Sequence, residues 1–256
     1  MSVVGRLAPT PSGHLHLGNA LAFGAAWLSA RNAGGRLLLR IEDIDRGRSR
    51  AEIAEAQRAD LSWLGLDWDE EVPAQSTRDY SPGGLDTYRC DCTRRQRQAR
   101  PCPHRESPAA RGSVRFRSAR TAVSFLDRAQ GPQRHVPDSD PLLMRRDGEP
   151  GYPLAVVVDD HRDGVTEVVR GGDLLAPTAV QVELFRALGW TPPTWMHVPL
   201  LLGPDGRKLS KSHGSTELRT LRADGWTPQH VWARLLPLLG IPEGVGLPDA
   251  RLVPAS

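Results

Sequence analysis

The sequence predicts an α/β protein built on a parallel sheet, and three observations carry that prediction. A strand, loop, helix, strand, helix rhythm fills the first 64 residues and resumes after about residue 151. Between the two stretches lies a segment of different composition. The chain has 256 residues, 39% of them hydrophobic, enough to build a core in one large domain or two modest ones. No apolar run approaches the ~20 residues of a membrane span. Residues 1–10 lack the charged-then-apolar order of a signal peptide, so a cytoplasmic protein is expected. A net charge of +3 permits an anionic partner without demanding one.

Residues 3–8 are a short β-prone run that ends in the rigid loop Pro9-Thr10-Pro11-Ser12-Gly13. A helix is predicted from about His16 to Arg31, with Leu17, Leu21, Ala25 and Leu28 at helical spacing. Residues 36–41 make a second apolar strand, closed by Glu42-Asp43-Ile44-Asp45. The span 49–64 reads as a helix with Ser49 as N-cap and Glu52 three residues on, a capping-box pattern. From about 86 to 150 the rhythm breaks. That stretch holds all three cysteines, many prolines, and nine arginines from Arg94 to Arg120 against one acid, Glu106. It is expected to be an inserted or subsidiary domain with a basic surface. The pattern then resumes, with buried strands predicted at 154–158 and 165–169, a helix at 178–188 and a strand at 196–202. Gly203-Pro204-Asp205-Gly206 turns the chain sharply, and a short tail follows with a helix at 229–239. The expected division is a first catalytic half at 1–85, the insert at 86–150, a second half at 151–215 and a helical tail at 216–256.

Two constellations carry chemistry. After the first strand, His14-Leu15-His16-Leu17-Gly18-Asn19 opens a helix, whose N-terminus presents N–H groups and a positive dipole end to phosphate. Gly18 has no Cβ and admits close approach of a nucleotide. His16 and Asn19, one turn apart, are placed to donate to phosphate oxygens. The second is Lys208-Leu209-Ser210-Lys211-Ser212. Lysine occurs nowhere else, so 31 of the 33 basic residues are arginine and the pair marks a place where a compact ammonium is wanted over a planar fork.

His16-Leu17-Gly18-Asn19 followed about 190 residues later by Lys208-Leu209-Ser210-Lys211-Ser212 resembles the "HIGH" and "KMSKS" signatures of class I aminoacyl-tRNA synthetases. The runs 5–13, Arg40-Ile41-Glu42-Asp43-Ile44-Asp45, 152–160 and 169–175 are similar to the glutamate-activating branch, in its order and across nearly the whole chain. The resemblance implies a Rossmann-like catalytic domain. It also implies that Arg6, Ala8, Thr10, Glu42, Tyr152 and Arg170 hold L-glutamate, with Glu42 on the ammonium and Arg170 on the side-chain carboxylate. The branch usually has Ser at the position of Thr10. The residues agree with this on their own terms: glutamate carries two anions and one cation, and two arginines, a glutamate and a tyrosine complement it.

By the same resemblance, His16, Gly18, Asn19 and Lys211 bind ATP, and His16, Asn19, Lys208 and Lys211 are catalytic, the lysines acting on the departing pyrophosphate. Mg²⁺ accompanies the nucleotide. Only 44 residues follow Ser212, too few for a large anticodon-binding domain. The chain thus looks like the truncated paralogues that attach glutamate to the queuosine base of tRNA(Asp). A monomer with glutamate, ATP and that tRNA as partners is expected. A different acceptor, or an idle tRNA-binding paralogue, are the alternatives. Cys90, Cys92, Cys102 and His104 have a spacing that suits one structural Zn²⁺ per chain. The paralogues carry a Tyr and a Cys where Cys102 and His104 stand here.

Overall fold

The computed structural model describes residues 2–90, 112–202 and 217–252. Strand β1 (Val4–Leu7), helix α1 (Leu17–Asn32), strand β2 (Arg36–Leu39), helix α2 (Ala51–Trp63) and strand β3 (Glu70–Glu71) follow one another, and the three strands pair in parallel in the order β1-β2-β3. A second sheet has the order β7-β6-β10-β9. It is built from β6 (Val123–Asp127), β7 (Gly131–His135), β9 (Glu167–Gly171) and β10 (Thr194–Val198), with helix α4 (Thr178–Ala187) as the crossover between β9 and β10. The two sheets abut at β1 and β9. There the Thr166 N–H donates to the Val4 carbonyl at 2.9 Å, and the Val4 N–H to Thr166 Oγ1 at 2.8 Å. Helix α1 lies across this junction and contacts both strands.

The expected alternation is therefore present, with two corrections. Residues 154–158 are not a strand but part of helix α3 (Tyr152–Arg162), which has Pro153 in its first turn. Its apolar run Leu154-Ala155-Val156-Val157 is buried, and a helix covered on most sides shows no amphipathic period to separate it from a buried strand. Ser49 does not cap α2. The turn in which Arg48 and Ser49 N–H groups donate to the Asp45 carbonyl shifts the entry by a residue. Extended Arg50 takes the cap position without a side-chain bond, and Ser49 Oγ is buried with no hydrogen-bond partner among the described residues.

The stretch 86–150 contributes to two places. Strands β4 (Thr87–Cys90), β5 (Ser113–Phe116) and β8 (Leu142–Met144) form a small antiparallel sheet against which α3 packs. Hairpin β6–β7 joins the β9–β10 sheet instead: β6 runs parallel to β10, with Trp195 opposite Asp127. The tail forms α5 (Leu218–Ala223) and α6 (Pro228–Leu235), the latter capped by Thr227. Trp232 of α6 seats on α1 at Gly24, where a Cβ would lie 2.6 Å from the indole ring. Its Nε1–H donates to the Leu64 carbonyl at 2.8 Å. Among the described residues no helix is long and apolar enough to cross a membrane.

Candidate active site

Strands β1, β2, β9 and β10 run in parallel, so their carboxyl ends meet on one side, and the order of connection reverses between β1 and β9. A parallel α/β sheet opens a crevice at such a switch point. A cleft of about 310 Å³ lies there, lined by Arg6, Ala8, Thr10, His16, Gly18, Asn19, Glu42, Tyr152 and Arg170. These nine are all the predicted glutamate and nucleotide residues that fall within the described part of the chain. Arg6 is on β1, and Ala8 and Thr10 follow it. Glu42 follows β2, Tyr152 opens α3, Arg170 is near the end of β9, and the others begin α1.

One wall is a buried ion network. Arg40, fully buried, donates to Asp160 at 2.7 Å, Asp163 at 2.9 Å and Glu42 at 3.2 Å. Burial opposes its charge, but Asp160, Glu42 and Asp159 outweigh that and hold its pKa well above the usual range. Arg78 bridges Asp159 and Asp163 at 2.9 and 2.8 Å, and the Tyr80 hydroxyl and Gln75 Nε2 donate to the other oxygen of Asp159. Arg6 Nη1 donates to the Val169 carbonyl, and its Nε lies 3.4 Å from Asp160. Glu42 faces the cleft from this network. Burial pushes its carboxyl above the ordinary glutamate value, against the pull of Arg40 and Arg6.

The opposite wall is different. Arg170, 6% exposed, donates from Nη2 to Thr178 Oγ1 at 2.8 Å, from Nε to His197 Nε2 at 3.1 Å, and from Nη1 toward the Tyr152 hydroxyl at 3.5 Å. Its guanidinium carbon sits 4.9 Å over the Trp195 ring. Among the described residues none of its hydrogen bonds goes to a carboxylate. Burial, aided by Arg6, lowers its pKa, the reverse of Arg40. A desolvated cation beside a cavity is a ready partner for an anion.

At the start of α1, His16 is the N-cap. Its Nδ1 accepts from the Gly18 N–H at 3.1 Å, while Asn19 Oδ1 accepts from the His16 N–H at 3.0 Å. This bonding assigns the proton of the neutral ring to Nε2. A Cβ on Gly18 would lie 3.0 Å from the His16 ring, so the glycine serves the histidine's seat as well as the openness of the helix end.

Lys208 and Lys211 lie outside the described residues, as do Cys92, Cys102 and His104. What flanks them is described. Leu200 and Leu201 line the cleft on one side of segment 203–216, and on the other Glu217 bridges to His16. Residues on both flanks of the lysine-bearing segment thus stand beside the cleft. Likewise Cys90, the one proposed zinc ligand among the described residues, ends β4 opposite Ser113, the first residue of β5. Among the described residues no three His, Cys, Asp or Glu side chains are grouped to hold a metal. Sequence reading missed Arg40, Asp127, Asp160, Thr178, Trp195 and His197. Arg40 and Asp160 stand in runs that carry the family resemblance, but nothing local gives any of the six its role, which comes from partners distant in sequence: 8 residues separate Arg170 from Thr178, 70 separate Asp127 from His197 and 120 separate Arg40 from Asp160.

The catalytic-domain pattern of class I tRNA synthetases of the E and Q type matches residues 2–82 and 85–245. The glutamyl-Q tRNA(Asp) synthetase of Symbiobacterium thermophilum is 45% identical, over 93% of this chain and 86% of its own. That of Nitratidesulfovibrio vulgaris is 41% identical, over 94% and 88%. In fold the chain is similar to a glutamate tRNA ligase crystal structure from Elizabethkingia meningosepticum, with a TM-score of 0.74, 24% identity, all of this chain and 67% of that one covered.

Proposed function

This chain belongs to the class I tRNA synthetases of the glutamate and glutamine type and is a ligase of that kind. On that premise we propose that it activates L-glutamate with ATP in the absence of tRNA and then transfers it to the queuosine base of tRNA(Asp). The observation that carries the first half is the pairing across the cleft of Glu42 with Arg170, a carboxylate facing a buried cation that bonds to no carboxylate among the described residues. An α-amino acid with a second carboxylate satisfies both. The amino-acid contacts we assign are Arg6, Ala8, Thr10, Glu42, Tyr152 and Arg170. The transfer half is supported by the names of the relatives with which the chain aligns over most of both lengths.

In the proposed reaction a glutamate α-carboxylate oxygen attacks the α-phosphorus of ATP. The bond to the β-phosphate oxygen breaks, and pyrophosphate leaves. Positioning and charge neutralisation supply most of the rate. His16, Gly18 and Asn19 serve the phosphates at the helix start, and Lys211, with Lys208, neutralises the leaving pyrophosphate. Mg²⁺ belongs with the nucleotide. A hydroxyl of the acceptor base then attacks the adenylate carbonyl and AMP departs. We assign catalysis to 1–85 and 151–215. Segment 86–150 is assigned a zinc on Cys90, Cys92, Cys102 and His104 and contact with tRNA, and 216–256 is a supporting tail.

Glutamate-dependent exchange of pyrophosphate into ATP, measured on the protein alone, tests the activation. Exchange that required tRNA, or that ran equally well with glutamine, would overturn it. Mass analysis of nucleosides from tRNA treated with the protein tests the acceptor. Zinc near one equivalent, reduced in Cys92→Ser, tests the metal. Lys211→Ala should slow exchange by roughly 100-fold, the scale of losing one preorganised charge donor.

A further inference from the structure

We propose that Asp127 and His197 form a positioning pair for Arg170: they hold its guanidinium through a neutral acceptor and leave its charge for the ligand's side-chain carboxylate, which sets the preference for glutamate over glutamine. The proposal rests on the reading of the cleft as a glutamate pocket. Both residues are buried, His197 fully and Asp127 to within 1%. Asp127 ends β6 and is held from several directions. The backbone N–H groups of Ala129 and Gln130 donate to it at 3.0 and 2.9 Å, that of His197 at 3.1 Å, and His197 Nδ1 lies 2.6 Å from Oδ2. Burial would raise its carboxyl, but the bonds from His197, Gln130 and Ala129 outweigh this and keep it ionised.

An ionised Asp127 requires a proton on His197 Nδ1. Burial keeps the ring itself neutral, so Nε2 carries a lone pair. That lone pair faces Arg170 Nε, which always donates, at 3.1 Å, while Thr178 Oγ1, also 3.1 Å from Nε2, gives its own proton to the Leu174 carbonyl at 2.8 Å. The alternatives all fail at this position. A carboxylate in place of the imidazole would hold Arg170 equally well but cancel its charge, as Asp160 and Glu42 do for Arg40. The other tautomer would set a donor against a donor. An imidazolium would repel. Asp127 thus acts on the ligand site through two residues in series, and does so from the 86–150 stretch.

The test compares Asp127→Asn, His197→Gln and the double variant in the full chain, by pyrophosphate exchange. Asp127→Asn should raise the glutamate KM by about 10-fold or more, the scale of losing a well-aligned bond to a charged group, and narrow the glutamate-to-glutamine ratio. The ATP KM and the kcat at saturating glutamate should stay within about two-fold. His197→Gln puts an amide oxygen near the place of Nε2 and should cost less than Asp127→Asn. In its background Asp127→Asn should add little, because the residue it steers is gone. A full Asp127→Asn penalty in the His197→Gln background, or an equal loss on the ATP KM, would mean that Asp127 only clasps β6 to β10 and would overturn the proposal. The ¹⁵N spectrum of His197, identified by its loss in His197→Gln, is independent of activity. Nδ1 protonated and Nε2 bare supports the pair, and a proton on Nε2 overturns it. Should the unmodified protein show no glutamate-dependent exchange, the functional reading falls, and the ¹⁵N result still decides the pair.

Discussion

Arg40 and Arg170 are the same residue type and buried to nearly the same degree, one behind the cleft wall and one lining the cleft, and they are electrostatic opposites. Arg40 donates to three carboxylates and is neutralised by them. Arg170 donates to a histidine, a threonine and a tyrosine and stacks over Trp195. Burial alone therefore says nothing about whether a cation is structural or poised for a ligand. The identity of its acceptors does: charged acceptors make Arg40 part of the scaffold, and neutral ones leave Arg170 with charge to offer.

Removing Arg40 should have the largest effect. Arg40→Met strands Glu42, Asp160 and Asp163 in the interior, and breaking a buried charge network of this kind costs about 3–5 kcal/mol. Urea unfolding reads that loss directly, and an unchanged midpoint would erase the distinction between the two arginines. Arg170→Met should behave in the opposite way. No carboxylate among the described residues loses a hydrogen bond, so the unfolding free energy should stay within about 1 kcal/mol, while glutamate-dependent exchange falls by roughly 10- to 150-fold with the loss of charge-assisted bonds worth about 1.5–3 kcal/mol. An Arg170→Met protein that was destabilised yet fully active would contradict this.

Glu42 sharpens the comparison through pH. Its carboxyl is raised by burial, so it takes up a proton at a pH above the ordinary glutamate value. The glutamate KM should climb as pH falls from neutral toward the ordinary glutamate range, and Glu42→Gln should be high and flat over the same span. The stability sign follows linkage. A carboxyl raised on folding contributes stability that is complete below its unfolded pKa and is lost as pH rises through its folded one. The stability of the unmodified protein relative to Glu42→Gln should therefore decline from acid toward neutral pH. Tyr152→Phe should have the smallest effect. Its hydroxyl is 3.5 Å from Arg170, at the edge of hydrogen-bond range, so the glutamate KM should change by no more than about 3- to 10-fold.

Much of the fold was legible because local signals and tertiary structure agree. The 3–8 and 36–41 runs, the helix behind His16 and the helix at 178–188 all appear, within two or three residues of the expected bounds, where propensity and period pointed the same way. The buried run 154–158 misled for the reason that any fully covered element does, and the N-cap signal at Ser49 was displaced by a turn from Asp45 that no propensity encodes. Strands β6 and β7 gave no warning that they would join the main sheet, because Pro132 and the charged residues around them read as loop.

Residue identity and order were enough to say which chemistry is available. Nine candidate residues from four distant stretches line one cleft, since parallel strands bring their carboxyl ends together whatever separates them in the chain. The charge state that each residue presents came from packing instead. Arg40 and Arg170 are indistinguishable as letters. Three carboxylates set around one, and an Asp127-oriented imidazole beside the other, make the first a neutralised strut and the second a cation with its charge unspent.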